Sequence, residues 1–564
     1  MLNSNLGREY ILVVLSYLML SLVATYPLLL NLDSVVSFGD SRFFLWTLWW
    51  WKHSLMELHT DPFHTNYLCY PHTIGLYMQN NMPSVGIASI PLQYVFSLER
   101  TYNILALLSF VLCGYGMYLL CRHIRGSSPA SFLAGALFAF MPLRFQWMNL
   151  GWLNILNMQW IPFYCLYLLK TIREGGWRNA TLAGVFLALT AFTHLEFLVF
   201  EAIFTAVALV CHLLMDSHKR NILGLLKSMV LAATIFLIAS SLVLVPSVME
   251  VMQTKYVTMN SLSLIQLSAD AAGPFIPPQN HILLPEGLRN MLKPLYVRQE
   301  EIGYLPETKT SYVGYVTILL AAYGIFRKPR ECAVWAATAV IFYLLSLGPT
   351  IQFNGKITDM PSMYALSSKV PLLNLIRYIT RYTIMVQLSL AAIAALGFTE
   401  LMRNVKRKTA SILLLSLLAL ALADSATSVT WTAPIRTGDV FAELPRNPAG
   451  TLYLPGQDVK FIYLAAKVEM PAVNCRLQRR IGEVDDSIKG VQEIIQEMKD
   501  ARKLENRTVD DATEEVSKMR RNNITYVIAA KPAYRRADTL REYLAKANAT
   551  TLEDGENYLV MRID

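Results

Sequence analysis

Residues 10–51 read YILVVLSYLMLSLVATYPLLLNLDSVVSFGDSRFFLWTLWWW. About twenty mostly apolar residues suffice to cross a bilayer, and the first half of this stretch supplies them. The second half is different in kind. Asp40 follows a glycine and precedes an aromatic run from Phe43 to Trp51, where tryptophans suit a membrane–water boundary because each has an apolar body and one polar edge. A span opening into such a loop predicts a chain that crosses a membrane and gathers its polar groups at one face. Working outward, the pattern repeats as far as residue 428. By that length rule there are about eleven candidate spans, near 10–30, 102–121, 129–143, 152–170, 180–193, 196–215, 228–247, 311–326, 332–348, 380–400 and 410–428. The stretch 82–98 is apolar but carries Pro83 and Pro91 and reads as a re-entrant or interfacial piece.

The loops alternate in character. Arg122–Arg125, Arg173–Arg178, His218–Arg220, Arg327–Arg330 and Arg403–Lys408 are short and basic. Residues 31–81 and 248–310 are long and rich in Asp, His, Trp, Asn and Pro. Lysine and arginine accumulate in cytoplasmic loops, so the expectation is a plasma-membrane protein with a cytoplasmic N-terminus, a retained first anchor and outward-facing long loops. Of 564 residues, 54% are hydrophobic and 16% charged, against about 25% charged in soluble domains. Past Thr430 hydropathy falls, and 21 basic residues balance 21 acidic ones. The net charge of +9 therefore belongs to the membrane part, which gives no reason to expect nucleic acid. Short β-type runs (450–455, 524–530, 557–563) alternate there with helical ones (487–504, 512–521, 536–547). The predicted organisation is thus a mostly α bundle over 1–429 and a small extracytoplasmic α/β domain over 430–564. Four sequons occur, at Asn179, Asn506, Asn523 and Asn548, and the three in the tail fit an exported domain weakly. Of seven cysteines only Cys69 and Cys475 would face outside, where a disulfide can form.

Several residues suit chemistry. A carboxylate half-desolvated at the membrane surface gains basicity and can serve as a general base, which nominates Asp40; it also suits an N-cap, and the two roles are compatible. Outer-side cations for an anionic group are Arg144, Arg377 and Arg381, with Lys255 and Arg298 behind them. Arg377 and Arg381 are four apart, a spacing that puts both on one helix face; they can equally snorkel to headgroups or pair with a carboxylate. His194 and Glu196 interrupt two apolar runs, where ionisable groups are costly and tend to be functional, although a mutually satisfied pair at a loop tip reads the same way. His53, His59, His64 and His72 crowd the first loop with Asp40 and Asp61, and a divalent ion (Mg, Mn or Zn) there would take Asp61 and His64 first. The segment Pro471–Arg476 suits a core strand with a basic edge. No phosphate-binding glycine loop, nucleophile elbow or Cys-x-x-Cys is present.

In their order, these motifs resemble the GT-C superfamily, polytopic membrane glycosyltransferases. They are the span, Gly39-Asp40, the aromatic segment, Asp61-Pro62-Phe63 and Tyr70-Pro71-x-x-x-Gly75. Glu307–Tyr315, Leu347-Gly348-Pro349 and Pro371–Arg377 with Arg381 continue the likeness downstream. The resemblance implies sugar transfer from a polyprenyl- or dolichyl-phosphate donor to an acceptor glycan, lipid or protein, with Asp40 at the base position. It departs from the family in lacking an acidic pair at that position and the Trp-Trp-Asp motif, so metal use and acceptor stay open. A transporter or flippase of lipid-linked saccharides is the alternative, although no repeated halves are seen. A non-catalytic membrane scaffold is the third reading.

Overall fold

The structure is a computed structural model describing residues 2–36, 40–215, 222–253, 261–301, 311–367, 376–427, 431–432, 450–454, 465–466, 469, 471–472, 489–498, 504, 507–530, 537–554 and 558–563. Gly39, Lys255, Cys475, Asn506, Glu307 and Pro371, all named above, lie outside these residues, as does the Arg298 side chain. The chain forms two compact units drawn from separate segments. One comprises Met1–Gly39, Arg100–Leu242 and Met259–Thr432, the other Asp40–Glu99, Val243–Thr258 and Ala433–Asp564. The first loop therefore groups with the tail.

The first unit is a helix bundle. Six helices among the described residues are long and apolar enough to span a membrane, fewer than the eleven expected. The physical reason is local. The run near 129–143 is one of the six, Ser128–Asn149, although it turns at Phe140–Met141 between the helices Ser128–Ala139 and Pro142–Asn149, with proline opening the second, where its missing N–H costs nothing. The helices Trp160–Glu174 and Trp177–Ala191 have 15 residues each, short of a full crossing. They pair through a two-glycine link whose Gly175 and Gly176 have φ of 68° and 88°, a region that glycine enters without penalty. Arg173 and Arg178 flank that link.

Packing in the bundle relies on small residues. A Cβ on Gly397 would sit 2.3 Å from the Leu320 carbonyl oxygen, and one on Gly324 2.6 Å from that of Ile393. The helices Tyr315–Arg327 and Thr383–Leu401 therefore meet backbone to backbone, as small residues permit in membranes. The first helix is anchored by Tyr17, which stacks on Phe132 at 4.8 Å and donates to its carbonyl at 2.9 Å. By contrast, only 17% of the apolar windows in Gly7–Ala24 and Ile222–Gln253 is buried within the protein.

The second unit begins with Asp40 and the helix Ser41–Lys52, whose residues Ser41 to Trp51 are all buried. The expected surface-lying aromatic helix is thus a helix, but one enclosed by protein. Two of its indoles find backbone partners: Trp50 donates to the Pro62 carbonyl at 3.0 Å and Trp51 to that of Asn81 at 2.8 Å, while the Trp46 N–H is buried without one. The Trp51 ring also occupies the space a Cβ on Gly86 would need, at 2.2 Å, which seats the proline-started helix Pro83–Gln93 against it. In the tail a mixed sheet runs in the order Gly450–Leu454, Ile524–Ala530, Tyr558–Arg562, Thr550–Asp554. The first pair is parallel and the others antiparallel. The helices Lys489–Met498, Val509–Arg521 and Ala537–Ala545 cover it, burying Leu452, Ile494, Met498, Leu540 and Met561. Tyr70 of the first loop packs against this same core.

Candidate active site

Asp40 stands immediately before the aromatic helix, partly buried, and its carbonyl accepts the Phe44 N–H at 3.1 Å. Its side chain makes no capping hydrogen bond to that helix, so the carboxylate is not consumed by the role that most often explains aspartate here. Arg42, two residues on, is a buried cation at 7% exposure. Sequence reasoning passed over it; an arginine inside an otherwise apolar helix was the available signal.

In the first unit a second polar group assembles. His194 lies in the tight turn after Trp177–Ala191, and Glu196 opens the helix Glu196–Met215, where the helix dipole favours an acid. Arg381 comes from the 3-10 turn Ile379–Tyr382, held by the Thr380 N–H bonding the Leu267 carbonyl at 2.9 Å. Arg381 Nη1 donates to Glu196 Oε2 at 2.6 Å and to His194 Nε2 at 3.2 Å. All three side chains are 5–8% exposed. The guanidinium also faces Tyr378 at 4.3 Å and Trp152 at 5.1 Å.

Both ring nitrogens of His194 have polar neighbours. Asn154 Nδ2 lies 3.5 Å from His194 Nδ1, while Asn154 Oδ1 is buried with no partner. A neutral imidazole has only one acceptor nitrogen, and Arg381 claims Nε2. For a neutral ring, turning the amide by about 180°, which exchanges its oxygen and nitrogen, lets Nδ1–H donate to Asn154 Oδ1; Nε2 lies 3.3 Å from Glu196 Oε2 as well. Trp152 and Asn154 were not foreseen.

The remaining cations are disposed differently. Arg377 is half-buried in a bend before the 3-10 turn, so the helical i,i+4 spacing that would align it with Arg381 does not exist. Arg381 itself takes a carboxylate partner, the option the sequence had left open. Arg144 has no exposed surface. It donates to the Ala139 and Leu156 carbonyls and to Ser109 Oγ at 2.7–2.9 Å, and lies 3.9 Å from the Phe110 ring centre. Those bonds hold the break at Phe140–Met141 and occupy both terminal nitrogens, while Nε is buried without a hydrogen-bond partner.

Asp61 and His64 do meet, Oδ2 to Nδ1 at 2.5 Å, each about half exposed. Asp61 Oδ1 also accepts the Phe63 N–H at 2.9 Å, an Asx turn that shapes the loop. Among the described residues no third metal-ligating side chain joins them. Two donors on an open loop do not fit a resident metal, and no step is derived through one. His59 and His72 are exposed and do not converge on the pair.

Residues 14–426 match the family model described as "Domain of unknown function (DUF6311)". The chain belongs to the DUF6311 family. No curated protein matches this DUF6311 chain in sequence. Among solved structures it resembles a mutant of the arabinofuranosyltransferase AftD from Mycobacteria at a TM-score of 0.60, with 12% identity over 99% of this chain. A second class of that mutant gives 0.53 at 13% identity. The chain spans 41% of AftD's length. A weaker likeness, TM-score 0.47 and 10% identity over 100% of this chain and 98% of the other, is to ArnT from Cupriavidus metallidurans bound to undecaprenyl phosphate. These relatives are GT-C glycosyltransferases, and the fold expected from the sequence, a GT-C-like helix bundle followed by an α/β tail, is the fold found.

Proposed function

We propose that this protein is an integral-membrane glycosyltransferase that moves a sugar from a polyprenyl- or dolichyl-phosphate donor to an acceptor at the outer face, with inversion. In one step Asp40 takes the proton from an acceptor hydroxyl and the freed oxygen bonds to the anomeric carbon. The bond from that carbon to the phosphate oxygen breaks, and the polyprenyl phosphate leaves with the electron pair. Charge grows on the departing phosphate, where a positioned cation is worth most. By residue type the sequence nominates Arg377 for such a role, a planar fork suiting two phosphate oxygens. Arg381, already paired with Glu196, acts as a positioning residue for the 3-10 turn that follows Arg377.

What supports the reading is a GT-C fold in which Asp40, the residue the sequence resemblance matches to the base, has a side chain that does not cap its helix. A disulfide at Cys69 supports an oxidising, outer location for the first loop, and with it a cytoplasmic N-terminus. The test is transfer from labelled polyprenyl-phosphate pentose and hexose donors in membranes. Asp40→Asn is expected to lower the rate by about 10²–10⁴-fold, the usual contribution of a general base. Near-normal turnover by a folded Asp40→Asn protein would remove Asp40 from the reaction, and donor crossing sealed vesicles without a covalent product would favour transport.

A further inference from the structure

Beyond Asp40, the far end of the aromatic helix widens into the π-helical turn His53–Glu57. That turn sets His53 Nδ1 2.6 Å from Glu57 Oε2. The ring is stacked on Trp49 at 4.5 Å and meets Tyr67 edge-on at 5.2 Å. With only 6% of His53 exposed, its orientation is fixed by packing. Its other nitrogen, Nε2, is buried and has no hydrogen-bond partner, a state that buried polar atoms rarely keep.

A third donor arrives from the tail. Tyr70 N–H bonds the Ala472 carbonyl and Ala472 N–H bonds that of Tyr67, each at 3.0 Å, which clamps the tail segment onto the first loop. Glu469, three residues before Ala472, thereby joins His53 and Glu57, and one ligand atom from each lies within 4.8 Å of the others. Tyr67 registers the accumulated charge: desolvation first, then Glu469 and Glu57, push its hydroxyl above the usual range. Among the described residues Lys52, 3.7 Å from Glu57 Oε1, is a partial counter-charge.

The geometry points to a divalent-cation site formed by a ring nitrogen of His53 and the carboxylates of Glu57 and Glu469, which ties the tail to the first loop. One imidazole and two carboxylates suit Zn²⁺ or Mn²⁺. A tetrahedral ion about 2.0–2.1 Å from its ligands keeps them about 3.4 Å apart, so the hydrogen-bonded His53–Glu57 pair, now at 2.6 Å, opens around the ion while Glu469, within 4.8 Å, closes on it, with water as fourth ligand. Glu57 is exposed and gives the ion its way in. The helix between Asp40 and His53 has 12 residues, about 18 Å, so the ion does not reach the proposed base. Its role is structural, stabilising the folded unit by binding it preferentially.

The full-length protein, stripped with a chelator in detergent, is reloaded with Zn²⁺ or with Mn²⁺. Metal per chain is then read by mass spectrometry after gel filtration. We expect about one retained equivalent, at least tenfold less in Glu57→Gln/Glu469→Gln, and no change in Asp61→Asn/His64→Asn. The ion should also raise the thermal midpoint of the parent protein and not that of the double variant. Because His53 is buried, His53→Gln can misfold, and the exposed single variant Glu57→Gln keeps the test independent of folding. A parent chain that retains no stoichiometric ion overturns the site, as does retention undiminished in Glu57→Gln/Glu469→Gln or loss confined to the Asp61/His64 variant.

Discussion

At the scale of single residues, the buried group around Arg381 shows how one pairing decides the use of a charge. Arg381 and Glu196 are 6% and 8% exposed and 2.6 Å apart, so removing either leaves the other buried and uncompensated, at a cost of about 3–5 kcal/mol. Glu196→Gln and Arg381→Met are each expected to lower the unfolding midpoint in detergent strongly, and the double variant to recover part of the loss. Strict additivity of the two effects would show that the pair does not interact. Arg381→Lys should also lose the faces of Tyr378 and Trp152, since a lysine cannot stack as a planar fork does. The sequence carried His194, Glu196 and Arg381 into view because each interrupts an apolar run. It could not say that they meet, since 187 positions separate Arg381 from His194 and no local rule spans that distance. Trp152 and Asn154 were invisible for a related reason: a tryptophan and an asparagine among apolar neighbours look the same whether or not they touch a cation.

Elements were easier to read. Hydropathy found the helices because crossing a bilayer needs length and apolarity, and both are local properties. It overcounted spans where the helix formed is too short to complete the crossing, as in Trp160–Glu174 and Trp177–Ala191. The strands and helices of the tail fell close to their expected places, since β-type and helical periods differ sharply. What composition hid was how closely elements approach. Gly397 meets the Leu320 carbonyl oxygen, and Gly397→Ala should cost about 1–3 kcal/mol through overpacking. Gly287, inside Glu286–Glu301 with nothing within 4 Å of its would-be Cβ, is the contrasting position. Gly287→Ala is expected to be neutral or to stabilise by up to about 1 kcal/mol. Unfolding midpoints of the two variants check both, and equal effects would contradict the close crossing.

For the whole molecule, covalent connectivity supplies the sharpest check. Cys113, Cys121, Cys165, Cys211 and Cys332 are free, and Cys69 is in a disulfide; Cys475 lies outside the described residues. A disulfide within one chain removes two of the seven thiols, so alkylation of the denatured, non-reduced monomer should label five, and of the reduced chain seven. Labelling of all seven without reductant would place the first loop in a reducing compartment and count against the proposed sidedness. The grouping of that loop with the tail could not be read from hydropathy, because periodicity reports neighbours along the chain and says nothing of segments brought together from far apart. The helices at Gly7–Ala24 and Ile222–Gln253 keep most of their apolar surface outside the protein. Patches of that size associate or aggregate in water. Extraction should therefore favour amphiphiles with long acyl tails, and native phospholipid should travel with the purified protein along these two helices.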